Sequence, residues 1–176
     1  IGLLDDFRIY NEELPPEQIK LLAGVEDVNL PEPLITDGLV EHWSFDDALS
    51  SSAAHAYNGN DGGVVGGGSF TGPGGGFDGS GGALYFNGSS KVTPPVDTIA
   101  NIDGAVTVAY WMKGDDDMPL RNYILAAYGP DWNLVAQNPD NLYGVQHVWQ
   151  AGANLLSIPA DDPNNYKNQW NHWAMT

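Results

Sequence analysis

The chain has 176 residues, enough for one ordinary domain with a good core, and its 23 acidic residues against six basic ones give a formal net charge of −17. This charge argues against nucleic acid or an anionic membrane surface as a partner; it is compatible with secretion, with cation binding or simply with solubility. No stretch is apolar for long enough to insert in a membrane, and the absence of cysteine excludes disulfides and thiolate metal sites.

The first predicted element is a strand at residues 1–10, IGLLDDFRIY, in which Leu3, Phe7 and Ile9 alternate with Asp6, Arg8 and Tyr10. A short helix is expected from Pro16 to Leu22, because proline is tolerated in a first helical turn and Gly24 can end the helix. Residues 25–37 are acidic and contain two prolines, which predicts an extended linker. No signal peptide is visible and the chain starts inside a strand, so we expect a fragment of a longer protein.

The stretch from Gly38 to Asp61 organises the rest of the chain. It opens as an apolar strand with the large side chains Leu39, Val40, Trp43 and Phe45, meets two carboxylates at Asp46 and Asp47, and reaches the turn Asn58-Gly59-Asn60-Asp61. An apolar strand, an acidic exit and a polar Gly/Asn turn are typical of the start of a β-sandwich with oxygen ligands at its rim.

Further strands are predicted along the remaining sequence. Residues 62–82 are rich in glycine and predict an irregular connection; no Gly-Lys-Ser/Thr follows, which argues against a phosphate loop. Residues 83–94 predict a hairpin and residues 105–113, AVTVAYWMK, a regular strand. Shorter strands are predicted at Tyr123–Tyr128, Trp132–Ala136, Tyr143–Gln150, Asn154–Ile158 and residues 168–176. The core is predicted to contain Trp43, Phe86, Val106 and Val108.

Several of these segments, in order, resemble laminin-G-like domains of the concanavalin A type. GLVEHWSFDD with its NGND turn resembles the opening of such a domain, ALYFNG, AVTVAYWMK and NQWNHWAMT resemble later strands, and GLLDDFRIYN with LPPEQI resembles the closing strand and helical turn. The resemblance implies an all-β fold, a two-sheet antiparallel jelly-roll sandwich with one short helix near the N-terminus. We therefore expect residues 1–24 to end a preceding copy, residues 25–37 to be a linker, and residues 38–176 to be a C-terminally incomplete domain.

A closing strand that precedes its linker lacks its own domain. We predict that Ile1–Tyr10 folds back and pairs antiparallel with the strand around Val40–Phe45, because a free apolar strand would expose a sheet edge. This pairing should bury Leu3, Phe7 and Ile9 and bring Asp5 or Asp6 beside Asp46.

A calcium site is predicted at the same rim. Asp46, Asp47, Asn60 and Asp61 supply the hard oxygen ligands that Ca²⁺ prefers. The resemblance implies a structural calcium where the first and closing strands meet, which adds Asp5 and Asp6 as ligands. The alternative is that these residues only shape solvated turns.

Aromatic side chains suggest a carbohydrate site. Trp111, Trp132, Trp149 and Tyr128 can present flat apolar faces with polar rims, although packing in the core is the alternative for each of them. Trp111 is the best candidate, because it points away from the side of its strand that carries Val106 and Val108.

Catalysis within the chain is not expected. The paired carboxylates of sandwich glucanases, Glu-x-Asp-x-x-Glu, are absent, no nucleophilic serine motif occurs, and the four histidines are scattered. The predicted function is a non-catalytic module of a secreted or cell-surface protein that binds a carbohydrate or matrix glycoconjugate for adhesion, next to other domains of the same polypeptide. The alternatives are an accessory domain of a polysaccharide-degrading enzyme whose catalytic domain lies elsewhere, or a structural spacer.

Overall fold

The described part of the chain is built of β-strands and one short helix. The computed structural model describes residues 2–25, 36–100, 102, 104–118, 123–128, 133–140, 146–159, 162 and 166–176. The helix α1 spans Pro16–Leu22, and the strands are β1 Gly2–Tyr10, β2 Leu39–Trp43, β3 Ala53–Ala54, β4 Gly62–Val65, β5 Ser69–Phe70, β6 Leu84–Phe86, β7 Lys91–Thr93, β8 Thr107–Gly114, β9 Tyr123–Tyr128, β10 Asn133–Asp140, β11 Gln146–Ala151, β12 Asn154–Pro159 and β13 Asn171–Met175. The prediction of an all-β chain with one helix near the N-terminus is confirmed.

The chain divides into two compact units. One consists of Leu3–Met112 with His172–Thr176, and the other of Ile1–Gly2 with Lys113–Asn171. The first unit holds the body of a six-stranded sheet in the order β13-β8-β1-β6-β5, with β2 also paired to β1, and a three-stranded sheet β3-β4-β7. The second holds a four-stranded sheet β12-β11-β10-β9. The described strands thus form three sheets rather than two, since the short strands β3, β4 and β7 make a ladder of their own. The assignment of residues 1–24, 25–37 and 38–176 to two copies and a linker stays a prediction, and most of the linker lies outside the described residues.

The fold-back of the N-terminal strand is confirmed. Strand β1 pairs antiparallel with β2, so that Phe7 lies opposite Trp43 and Arg8 opposite His42. Leu3 was expected inside but is only half-buried, and Leu4 is buried in its place. The reason is that Asp6 has a φ of 53°, in the left-handed region, which interrupts the alternation of faces along the strand.

The core of the first unit lies on the face of the sheet that carries Phe7. The Phe7 ring stacks on Tyr110 at a centroid distance of 5.6 Å and is tilted against Trp43 at 6.1 Å. Trp43, Val106 and Val108 are buried, as predicted. Phe86 is half-buried instead, whereas Leu84, two residues earlier on the same face of β6, is fully buried.

Helix α1 packs on this unit through one side. Leu22 joins a buried cluster with Tyr10, Leu14 and Ala109, against which Ile19 also packs. Pro16 occupies the first turn, where it loses no hydrogen bond, and Gly24 has the positive φ of 66° that helix ends favour.

The second unit is a meander of antiparallel strands. Trp149 on β11 lies opposite Ala136 on β10 and Leu156 on β12. The central strands are buried, whereas Leu155, Leu156 and Ile158 on the edge strand β12 are exposed. The described part of the chain contains no helix that is long and apolar enough to cross a membrane.

Candidate functional site

The face of the six-stranded sheet opposite the core carries a group of polar and aromatic side chains. Strand alternation sends Phe7 and Tyr110 to the core, so their neighbours Arg8 and Trp111 point the other way. We call this group the polar–aromatic face, and its members are Asp6, Arg8, His42, Phe77, Trp111 and His172.

Asp6 is the hub of the polar half of this face. Its Oδ1 accepts a hydrogen bond from Arg8 Nη2 at 2.9 Å and lies 2.5 Å from His42 Nε2. Burial alone would raise the pKa of Asp6, but the hydrogen bond with His42 and the positive charge of Arg8 lower it below its ordinary value. The carboxylate is therefore ionised at neutral pH. The positive φ of Asp6 in mid-strand costs on the order of 1–3 kcal/mol, and such strain is concentrated at functional sites.

The aromatic half of the face is centred on Trp111. The Phe77 ring is stacked on it, with centroids 4.4 Å apart and planes inclined by 6°, and His172 meets it edge-on at 5.2 Å. Burial lowers the pKa of His172 to about 4, so this imidazole is uncharged at neutral pH. The Trp111 indole N–H is buried and has no hydrogen-bond partner within the described residues. Such an unsatisfied donor costs about 1–3 kcal/mol and calls for an explanation.

The four predicted carbohydrate-contacting residues differ in their position and exposure. Trp111 lies in the polar–aromatic face and is half-buried. Trp149 is only 7% exposed, which favours the alternative of packing in the core for this residue. Tyr128 is 66% exposed on β9 of the second unit. Trp132 lies outside the described residues.

Two of the six predicted calcium ligands come together at the glycine-rich loop. Asp5 Oδ2 accepts a hydrogen bond from Phe77 N at 2.9 Å, and Asp46 Oδ1 accepts one from Gly82 N at 2.6 Å. Burial chiefly raises the pKa of Asp5 to about 7; the negative charges of Asp6 and Asp46 add to this, and the Phe77 N–H opposes it. Asp5 is buried and Asp46 exposed, so the pair is open to solvent on one side.

The loop around these carboxylates needs its glycines. A Cβ on Gly76 would lie 2.7 Å from Asp5 Oδ2 and 2.6 Å from Gly82 O, and a Cβ on Gly81 would collide with Asp46 Oδ1. Phe45 at the same place has a positive φ of 58°, which is unusual for a bulky residue. The glycines therefore allow the backbone to approach both carboxylates closely. The interpretation of residues 62–82 as an irregular connection did not identify this role.

Asp47 and Asp61, also predicted as calcium ligands, lie on either side of His55. His55 Nδ1 contacts Asp47 Oδ1, and His55 Nε2 is 3.8 Å from Asp61 Oδ2. Hydrogen bonding to Asp47, with the charges of Asp47 and Asp61, raises the pKa of His55. Because the imidazole stands between the two carboxylates, they do not face a common ion in this arrangement.

Asn60, the remaining predicted ligand apart from Asp6, is held by Glu41. Glu41 is completely buried and accepts hydrogen bonds from His42 N (3.0 Å), Asn58 N (2.7 Å), Asn60 N (3.3 Å) and Asn60 Nδ2 (2.8 Å). The sequence contained a signal for this role. Glu41 shares the inward-pointing face of β2 with Leu39 and Trp43, and a carboxylate at such a position needs hydrogen-bond partners. It anchors the 58–61 turn from inside.

The predicted six-residue calcium set is thus divided over four places. Two of these contain a pair of carboxylates, but His55 stands between Asp47 and Asp61, whereas no side chain is described between Asp5 and Asp46. Within the described residues, no group of three or more histidine, aspartate or glutamate side chains is arranged to hold a metal ion. The oxygens at Asp5 and Asp46 still fit a hard cation in chemical type, since backbone carbonyls of Phe45 and Gly82 border the same loop. Comparison of the chain with protein-family models, with curated proteins and with solved structures finds no match.

Proposed function

We propose that this chain is a non-catalytic carbohydrate-binding module of a secreted or cell-surface protein, and that the polar–aromatic face is its binding site. The observation that carries the proposal is the Phe77–Trp111 stack beside the hydrogen-bonding group of Asp6, Arg8 and His42. Apolar rings with a few well-placed polar groups are the usual composition of a small-ligand site. The resemblance to laminin-G-like domains supports the extracellular setting and the role in adhesion.

In this proposal the aromatic and polar halves of the face bind different parts of the sugar. The outer side of the half-buried Phe77–Trp111 stack contacts the C–H face of a sugar, for which flat aromatic surfaces are suited because they lose little conformational entropy. Arg8 donates to sugar hydroxyls, and Asp6 accepts from them; their side chains are 18% and 16% exposed, which leaves their outer atoms in reach. His42, 20% exposed, completes the polar rim.

Structural calcium is part of the proposal, with Asp5 and Asp46 as the residues that would hold it. When bound, calcium supplies a fixed positive charge that compensates two neighbouring carboxylates. Asp5 accepts the Phe77 N–H and Asp46 accepts the Gly82 N–H, so the same two side chains hold both ends of the loop that places Phe77 on Trp111. Ordering these carboxylates would therefore also order the aromatic stack.

The test is affinity electrophoresis of the chain in gels that contain one polysaccharide each. At least one polysaccharide should retard the wild type, and Trp111→Ala should remove the retardation. Tyr128→Ala is the matched control, because Tyr128 is an exposed aromatic residue of the other unit. Retardation that survives Trp111→Ala would move the site elsewhere, and no retardation across a broad panel would favour the spacer role.

A further inference from the structure

The charges of the polar–aromatic face indicate what kind of glycan it can take, provided that the proposed function holds. Arg8 carries a positive charge on this face, and its guanidinium donates to the Asp6 carboxylate at 2.9 Å, on the oxygen that also lies 2.5 Å from His42 Nε2. The positive charge is therefore already balanced by a negative one. His172, uncharged at neutral pH, adds no positive charge to the aromatic side of the face.

An anionic sugar would have to compete with this internal pair. A uronate or sulfate group that engaged Arg8 would displace Asp6, whose side chain is only 16% exposed and would lose its guanidinium partner, keeping only the contact with His42 Nε2. Removing one partner from a half-buried ion pair costs more than the pair itself contributes. The formal net charge of −17 adds a further repulsion at long range, although salt screens it.

An uncharged sugar meets no such obstacle. Its hydroxyl groups can accept from the outer N–H groups of Arg8 and donate to the carboxylate of Asp6 while the ion pair stays intact. The apolar face of its ring meets the aromatic stack of Phe77 and Trp111. We propose that the polar–aromatic face binds neutral polysaccharides and excludes those that carry carboxylate or sulfate groups.

The test compares neutral polysaccharides (a β-glucan, a xylan and a mannan) with acidic ones (polygalacturonate, alginate and heparin), by affinity electrophoresis at about pH 8, where ordinary histidines are uncharged. Runs in roughly 0.1 M and roughly 1 M NaCl have Debye lengths of about 10 and 3 Å. They separate the long-range repulsion by the net charge of the chain, which salt screens, from the local competition with the Arg8–Asp6 ion pair. The wild type should be retarded by a neutral polysaccharide and by no acidic one at either salt concentration.

The decisive variant is Asp6→Asn, which removes the balancing charge. Asparagine has nearly the same shape and tolerates the positive φ of this position. The charge of Arg8 is then no longer balanced, and Asp6→Asn should gain binding to an acidic polysaccharide by about tenfold or more, the value of one charge-assisted hydrogen bond, in a salt-sensitive way. Asp97→Asn, at an exposed position, changes the net charge equally and should gain nothing.

The outcomes separate the two proposals. Retardation of the wild type by an acidic polysaccharide, dependent on Trp111, would overturn the inference and leave the proposed function standing. The same gain for Asp97→Asn as for Asp6→Asn, or no gain for a folded Asp6→Asn, would also overturn it. If no polysaccharide retards the wild type, both proposals fail together.

Discussion

Replacing Glu41 by glutamine should destabilise the protein strongly, although the substitution changes only one atom. Each Glu41 carboxylate oxygen accepts two N–H groups, His42 N and Asn58 N on one and both nitrogens of Asn60 on the other. Whichever way the new amide is oriented, its NH₂ group must face two donors. Two hydrogen bonds to a charged group are lost at about 1.5–3 kcal/mol each, so the free energy of unfolding should fall by roughly 3–6 kcal/mol.

Urea unfolding followed by tryptophan fluorescence measures this loss as a lower midpoint at an unchanged slope. Glu13→Gln, at an exposed position, is the matched control and should change the free energy of unfolding by less than about 0.5 kcal/mol. A double-mutant cycle with Asn60→Ala should show coupling between the two residues. A loss below about 1 kcal/mol for Glu41→Gln would refute the view that this buried carboxylate anchors the 58–61 turn.

Three further predictions follow from the same structure. Phe7→Ala should lower the free energy of unfolding by about 3–5 kcal/mol in urea titrations, since its buried ring holds β1 in the sheet; a loss below about 1 kcal/mol would contradict the pairing. Millimolar Ca²⁺ should raise Tm by a few degrees through binding to the native state, and Asp46→Asn should abolish this rise while Asp47→Asn retains it; equal behaviour of the two variants would count against the Asp5–Asp46 place. The raised pKa of His55 means that its contribution to stability is fully present below the ordinary histidine pKa of about 6.5 and is lost as pH rises through the folded-state value. The Tm difference between wild type and His55→Gln should therefore shrink from pH 5 to 9, and a difference that grows with pH would show the sign to be wrong.

Local pattern predicted the elements of this fold well, because alternation and turn residues are properties of neighbouring positions. The helix at Pro16–Leu22 and the strand at Tyr123–Tyr128 lie where the sequence placed them. The pairing of β1 with β2 was also predicted, since an apolar strand needs a partner. The burial of Leu4 in place of Leu3 was not predicted, because it depends on the left-handed conformation of Asp6, which no alternation pattern reveals.

The candidate site was only partly predictable, because its members are far apart in the chain. Trp111 was found from its strand, but Phe77 lies in a glycine-rich loop and His172 on a distant strand, and only the folded sheet stacks them together. The predicted calcium ligands lie at four separate places for a related reason. Each carboxylate is held by the nearest donor, as Asp47 is by His55, and composition does not reveal which donor that will be.

The claim that the polar–aromatic face binds a sugar can be tested at a single atom. The indole N–H of Trp111 gives a resonance in ¹⁵N-correlated NMR spectra that a Trp111→Phe variant identifies. Titration with an oligosaccharide from the polysaccharide that retards the protein should shift this resonance progressively to saturation, while that of the buried Trp149 stays in place. A saturable shift of other tryptophan resonances with Trp111 unmoved would contradict the account.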